Sequence, residues 1–200
     1  SEENIMPLGA NKAAIMGVAG VSTADVVLLS SQTASNDSEI DFTGLMTSTY
    51  GEYIFKFYNI GPATDSTAMT FQVNATDTAD FNDALITSSY WGAHHTESDS
   101  TGIGVNDSGD QSNDAGFQQL TEAQGNGSDE SGTGELHIFN PSSTTYVKHF
   151  YSRFNIYAAT NYTQDIFVAG YINDTTAIDD IRFKMSSGNF DGVIKMWGVK

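Results

Sequence analysis

The stretch AIDDIRFKMSSGNFDGVIKMWGVK, residues 177–200, decides the reading of the fold. In its first half Ile181, Phe183 and Met185 fall on one side of an extended chain, with Arg182 and Lys184 on the other. That period of two marks a strand with one buried face. SSGNFDG then supplies turn residues, and Val193–Val199 alternates again, Val193, Lys195, Trp197 and Val199 against Ile194 and Met196. Apolar residues on both faces predict a strand inside a sheet, and the short SSGN turn predicts that it pairs as a hairpin with Ile181–Met185. A chain tied down in this way is expected to close its domain here rather than to run on as a linker.

The same period extends outward through the chain. EYIFKFYNI (52–60) sets Tyr53, Phe55 and Phe57 against Glu52, Ile54 and Lys56. TAMTFQVN (67–74) follows the turn signal GPATDS, and the two read as neighbouring strands. GELHIFN (134–140) stops at Pro141, which cannot donate a ladder hydrogen bond. TYVKHFYSRFNIYA (145–158) and TQDIFVAGYIN (163–173) are two longer strands joined by a short turn. With DVVLLSS (25–31), SEIDFTG (38–44) and segments near 84–91 and 116–123, about nine or ten strands are expected. One short helix is predicted over 79–86, with Asp80 as its N-cap. Many short strands separated by Gly, Asn, Asp and Ser predict an all-β fold, a jelly-roll-like antiparallel sandwich over residues 25–200. Residues 1–24 are apolar but rich in Ala and Gly, and they read as an extended N-terminal arm that lies against the sandwich or a neighbouring subunit.

Composition narrows the function. The 200 residues carry 25 Asp and Glu against eight Lys and Arg, a net charge of −17, which argues against gripping a phosphate backbone. Residues 1–146 hold 20 of the acids and only two bases, Lys12 and Lys56, whereas 147–200 hold five acids and six bases. Without cysteine there is neither a disulfide framework nor a thiolate metal site. No apolar run approaches the roughly 20 residues of a membrane helix, so neither membrane insertion nor a nucleic-acid partner is expected. The apolar run 13–21 is short and preceded by two Glu, a poor match to a secretory signal, and Ser1 fits loss of an initiator Met.

Candidate site residues gather in the polar, glycine-rich tract 94–133 and just before it, because long loops on a β scaffold are where recognition concentrates. Asp107, Asp110 and Asp114 supply hard oxygen ligands, with Gly109 available for a turn, and define a calcium hypothesis, although their spacing matches no EF-hand loop. His94 and His95 are adjacent, so in a strand they point to opposite faces and do not share a metal. Together with Tyr90 and Trp91 they are candidate partner contacts. The sequence contains no nucleophile elbow, P-loop or dinucleotide fingerprint, and catalysis has no positive support. Eight aromatic residues between Tyr146 and Tyr171 belong mostly to core and sheet surface, with a minority available to stack on sugar rings.

GELHIFNPSSTTYVKHFYSR (134–153) and the closing stretch resemble the C-terminal half of a family of tailed-phage virion proteins common among marine phages. The shared features are a strand ending in Asn-Pro-Ser-Ser, a strand running into SSGNF, and a final strand of the form G-x-I-x-h-y-G-h-K, where h is hydrophobic and y aromatic. FKFYNIGPATDSTAMTFQVNA (55–75) and MPLGANKAAIMGVAGVS (6–22) also resemble its members. The resemblance implies a virion location and multimeric assembly, and the expected form is a homotrimer that contacts other virion proteins and acts by binding. The expectation is a tail fibre or receptor-binding component that meets a host-surface glycan or protein. Alternatives are a head decoration or cement protein, a secreted carbohydrate-binding module, and, more weakly, a glycan-degrading enzyme.

Overall fold

In the computed structural model, which describes residues 25–75, 80–81 and 84–200, the alternation becomes thirteen strands. In chain order they are Val26–Asp37 (β1), Ile40–Phe42 (β2), Glu52–Pro62 (β3), Met69–Ala75 (β4), Ile86–Thr96 (β5), Thr101–Val105 (β6), Ser112–Asp114 (β7), Gln118–Gln119 (β8), Gly132–Phe139 (β9), Lys148–Ala158 (β10), Tyr162–Ile172 (β11), Ile178–Met185 (β12) and Phe190–Val199 (β13). They form two antiparallel sheets. The larger runs β1-β13-β3-β9-β10-β11-β5-β6, with β7 also on β5, and the smaller runs β2-β12-β4-β8. This is the all-β sandwich expected from the sequence. The arm, residues 1–24, lies outside the described residues.

The core follows from the alternation. Phe55 and Phe57 of the large sheet meet Phe42 and Phe183 of the small one edge to face, with ring centroids 5.0 to 5.4 Å apart for Phe57–Phe183, Phe55–Phe183 and Phe42–Phe55. All four are at most 1% exposed. Burying one such side chain is worth roughly 1.5–3 kcal/mol, and the edge-to-face geometry adds to that.

Three expectations are corrected. The closing stretch does not form a hairpin: β12 pairs with β2 and β4 in the small sheet, while β13 lies between β1 and β3 in the large one. For the same reason β3 and β4 are not neighbours but occupy opposite sheets. The two connections cross between the sheets side by side, joined by Ala63 N to Asn189 O at 2.8 Å, Ser186 N to Ala68 O at 2.7 Å and Ala68 N to Ser186 Oγ at 3.0 Å. The turn residues of SSGN therefore make an arch, with Gly188 at φ +76°, and not a hairpin loop.

The third correction concerns the segment expected to be helical. Residues 76–79 and 82–83 lie outside the described residues, but Asp80, Phe81, Ala84 and Leu85 are not helical. Their carbonyls serve distant donors: Ala84 O accepts from Gln72 Nε2 and Leu85 O from Asn173 N. Phe81 instead lies under Arg182, 4.5 Å from the guanidinium.

The polar tract is also more ordered than loop composition implied. β5 runs to Thr96, β6 and β7 follow, and residues 106–124 stitch β5 of the large sheet to β4 of the small one. Ser88 N donates to Gln111 O, Asn106 N to Tyr90 O, and Leu120 N to Met69 O. Gln72 and Gln118, both fully buried, anchor this cover, Gln72 on the carbonyls of Ala84, Ala115 and Gly116, Gln118 on that of Gly109. Lys148 is buried as well; its ammonium donates to the carbonyls of Asp174 and Thr176, and burial pushes its pKa down.

Candidate binding face

The outer side of the large sheet carries the positions that alternate with the core. Across six adjacent strands, Lys195, Lys56, Glu135, Arg153, Phe167 and Trp91 follow one another in register, a single transverse row. Three of the five neighbouring pairs in the row touch. Lys56 Nζ is 3.3 Å from Glu135 Oε2, the Arg153 guanidinium is 5.0 Å from the Phe167 centroid, and Phe167 stacks on Trp91 at 4.3 Å with planes 6° apart. Arg153 is held in place by Asp165 on β11, Nε to Oδ1 at 3.0 Å and Nη2 to Oδ2 at 2.8 Å. Lys195 has no ion-pair partner among the described residues and lies 5.3 Å from the ring centroid of Tyr58.

A bulge opens the middle of this face. Between Phe57 and Ile60 strand β3 slips against β9, with Asn59 at φ +50° and Thr133 Oγ1 donating to Phe57 O at 2.7 Å. Bulges of this kind re-aim side chains and interrupt pairing. On the core side Phe57 and Phe154 meet over Gly134 at 4.8 Å, where any Cβ would overlap the Phe154 ring. On the solvent side a cleft of about 530 Å³ remains, lined by Lys56, Tyr58, Thr133, Glu135, Arg153, Asn155 and Asp165.

A second row lies parallel to the first and is more apolar: Leu28, Trp197, Ile54, His137 and Tyr151. His137 stacks on Tyr151 at 4.4 Å, and its Nδ1 is 2.5 Å from Glu52 Oε1. Burial, reinforced by the charges of Glu52 and Glu135, pushes the Tyr151 hydroxyl pKa up. Beside this row the Asn-Pro-Ser-Ser turn, with Asn140 at φ +46° and Ser143 Oγ accepting from Tyr146 N, shapes a further cleft of about 580 Å³ beneath the 75% exposed Tyr146.

The candidate residues from the sequence divide by face. Trp91 and His95 point outward, Trp91 into the first row and His95 to Asp99 at 3.2 Å. Tyr90 and His94 point inward, Tyr90 buried and His94 5.5 Å from Tyr162. Asp107 and Asp110 lie in the turn after β6, whereas Asp114 ends β7 with Oδ1 accepting from Gly116 N at 2.6 Å. Among the described residues no group of three or more His, Asp or Glu is arranged to hold a metal ion.

The sequence reading passed over Lys56, Tyr58, Glu135, Arg153 and Asp165. Two signals were present: Lys56 is the only base between Lys12 and Lys148, and Arg153 occupies an outward position in a strand otherwise dense in aromatics.

Such a surface combines flat apolar rims, fixed charges of both signs and amide and hydroxyl groups, the mixture that recognises a polar partner bearing hydrophobic patches. A scan against family models and searches of curated proteins and of solved structures found no match to this chain.

Proposed function

We propose that this chain is a binding protein of a tailed-phage particle, a tail-fibre or receptor-binding component that assembles as a homotrimer and meets a host-surface glycan through the outer face of its large sheet. The binding part of this reading rests on one observation, the Arg153–Phe167–Trp91 stack running into the bulge-opened cleft at Lys56 and Tyr58. Aromatic rims cover the apolar face of a sugar ring, while paired, rigid charges supply directional hydrogen bonds to its hydroxyl groups. The particle part rests on the resemblance of residues 134–153 and 177–200 to virion proteins.

A head-decoration role is the second reading. Val26 and Leu28 favour it, because they are 53% and 51% exposed on β1, whose outer edge pairs with no strand among the described residues. The two readings part on what the protein adheres to. Labelled protein that adsorbs to intact host cells, runs as a trimer in light scattering and loses adsorption after Trp91→Ala and Arg153→Ala supports the receptor-binding role. Adsorption to purified capsids alone overturns it in favour of decoration, and competition by protease-treated rather than glycosidase-treated cells separates glycan from protein receptors.

A further inference from the structure

On the opposite, inward side of the large sheet, the short strand β6 is bare. Its inward positions are Gly102 and Gly104, in register with His94 and Gly92, while Ile103 and Val105 face outward, 76% and 70% exposed. Glycine in a strand interior weakens it and marks places where something approaches the backbone closely. At Gly102 that neighbour is His94, whose Cε1 lies 2.5 Å from where a Cβ would stand. At Gly104 a Cβ would meet none of the described residues within 4 Å.

The open space is walled by polar groups whose bonding is incomplete. Glu122 receives Asn106 Nδ2 at 3.0 Å on Oε1 and Gln164 Nε2 at 2.5 Å on Oε2, and it has no ion pair among the described residues. Because Gln164 turns its amide nitrogen to Glu122, its Oε1 has no hydrogen-bond partner among the described residues. The Tyr90 hydroxyl also lacks one, and the two residues are only 7% and 1% exposed. A buried polar atom without a partner is costly, and a ligand that pairs it relieves that cost. Burial and the nearby Glu122 charge push the Tyr90 pKa up, so its hydroxyl keeps a proton to donate.

We propose that this cleft, about 520 Å³ between β6, Tyr90, Glu122 and Gln164, is a second binding site, for a neutral hydroxyl-rich ligand the size of one sugar ring. Gln164 Oε1 lacks a donor, the Glu122 carboxylate keeps lone pairs for one beyond the two it receives, and the Tyr90 hydroxyl offers a proton. A hydroxyl group donates and accepts through the same atom, so adjacent ring hydroxyls satisfy all three. The Glu122 carboxylate repels an anionic ligand, and the bare face of Gly104 admits a ring where a side chain would exclude it. This site lies on the other face of the sheet from the one proposed for host binding and stands without that reading.

The test is an amide-shift titration of the full chain by NMR with D-glucose, D-galactose and D-mannose, and with D-glucuronate as the anionic counterpart. At least one neutral hexose is expected to shift the amides of Gly92, Gly102, Gly104 and Gln164, unchanged by Trp91→Ala, and glucuronate to shift them less. Gly104→Leu should abolish the shifts by filling the cleft. Tyr90→Phe should weaken binding by about tenfold, one lost hydrogen bond, without lowering Tm. If the leucine variant does not fold, Tyr90→Phe carries the test. The proposal is overturned if no hexose moves these amides, if the shifts survive Gly104→Leu, if Tyr90→Phe binds as the parent does, or if crystals grown with hexose hold only water at Tyr90 Oη and Gln164 Oε1.

Discussion

Trp91 of β5 lies flat against Phe167 of β11, ring centroids 4.3 Å apart, with the Arg153 guanidinium on the Phe167 side of the pair. Trp91 is 40% exposed, so the stack is a surface feature and not a core contact. Trp91→Ala is therefore expected to cost only about 1 kcal/mol of stability, the worth of one aromatic pair, while removing the host adhesion proposed for this face. Urea unfolding paired with a cell-adsorption assay checks both halves; a loss of folding would mean that the stack is structural.

Arg182 of β12 grips Asp41 of β2 with two hydrogen bonds, Nε to Oδ1 at 2.8 Å and Nη2 to Oδ2 at 2.6 Å, and Glu39 adds a contact at 3.0 Å. Because β2 is only three residues long, this pair adds a polar tie to the burial of Ile40 and Phe42 in holding it to the small sheet. The groups are about a quarter exposed, which screens them in part. Asp41→Asn should lower stability by about 1–2 kcal/mol, read as a shift of the urea midpoint at constant slope.

Deleting residues 194–200 should abolish cooperative unfolding altogether. β13 is the partner of both β1 and β3, and Ile194 and Met196 are fully buried. A soluble truncated chain melting near the parent temperature would show that β13 is not the seam between those strands.

Burial and the Glu122 charge raise the Tyr90 pKa. In the folded chain Tyr90 thus keeps its proton at pH values where an unfolded tyrosine, pKa about 10, has lost it. The stability this contributes is complete below about pH 10 and declines as pH rises beyond it. Tyr90→Phe should make the alkaline decline shallower, seen in urea melts between about pH 8 and pH 11. Parallel profiles for the two chains would refute the assignment.

Residue alternation reveals which side of a strand is buried, and it did so for Phe55 and Phe57, for Ile181 and Phe183, and for Ile194 and Met196. It is silent on which strand lies alongside. SSGN is short enough for a hairpin, and nothing local shows that Ser186 and Asn189 bond instead to the neighbouring connection at Ala68 and Ala63. The transverse row was equally hidden, since Lys195, Lys56 and Arg153 come together only through long-range register. The opposite facing of Tyr90 and Trp91 was implicit in their adjacency. The bare face of β6 was visible too, in the pattern Gly102-Ile103-Gly104-Val105, but its meaning required knowing that His94 and Gly92 stand across from it.

The place of β13 also bears on how the chain reaches this state. It is the last strand in chain order, yet it separates the first strand of the large sheet from the third. Neither β1 nor β3 can complete its pairing until β13 has been made, so the emerging polypeptide exposes two waiting strand edges throughout the synthesis of everything between β3 and β13. Long-range pairing of this kind folds slowly and leaves edges open to other chains. Closure of the sheet waits on that strand, and the period before it emerges is when the protein most needs protection from aggregation.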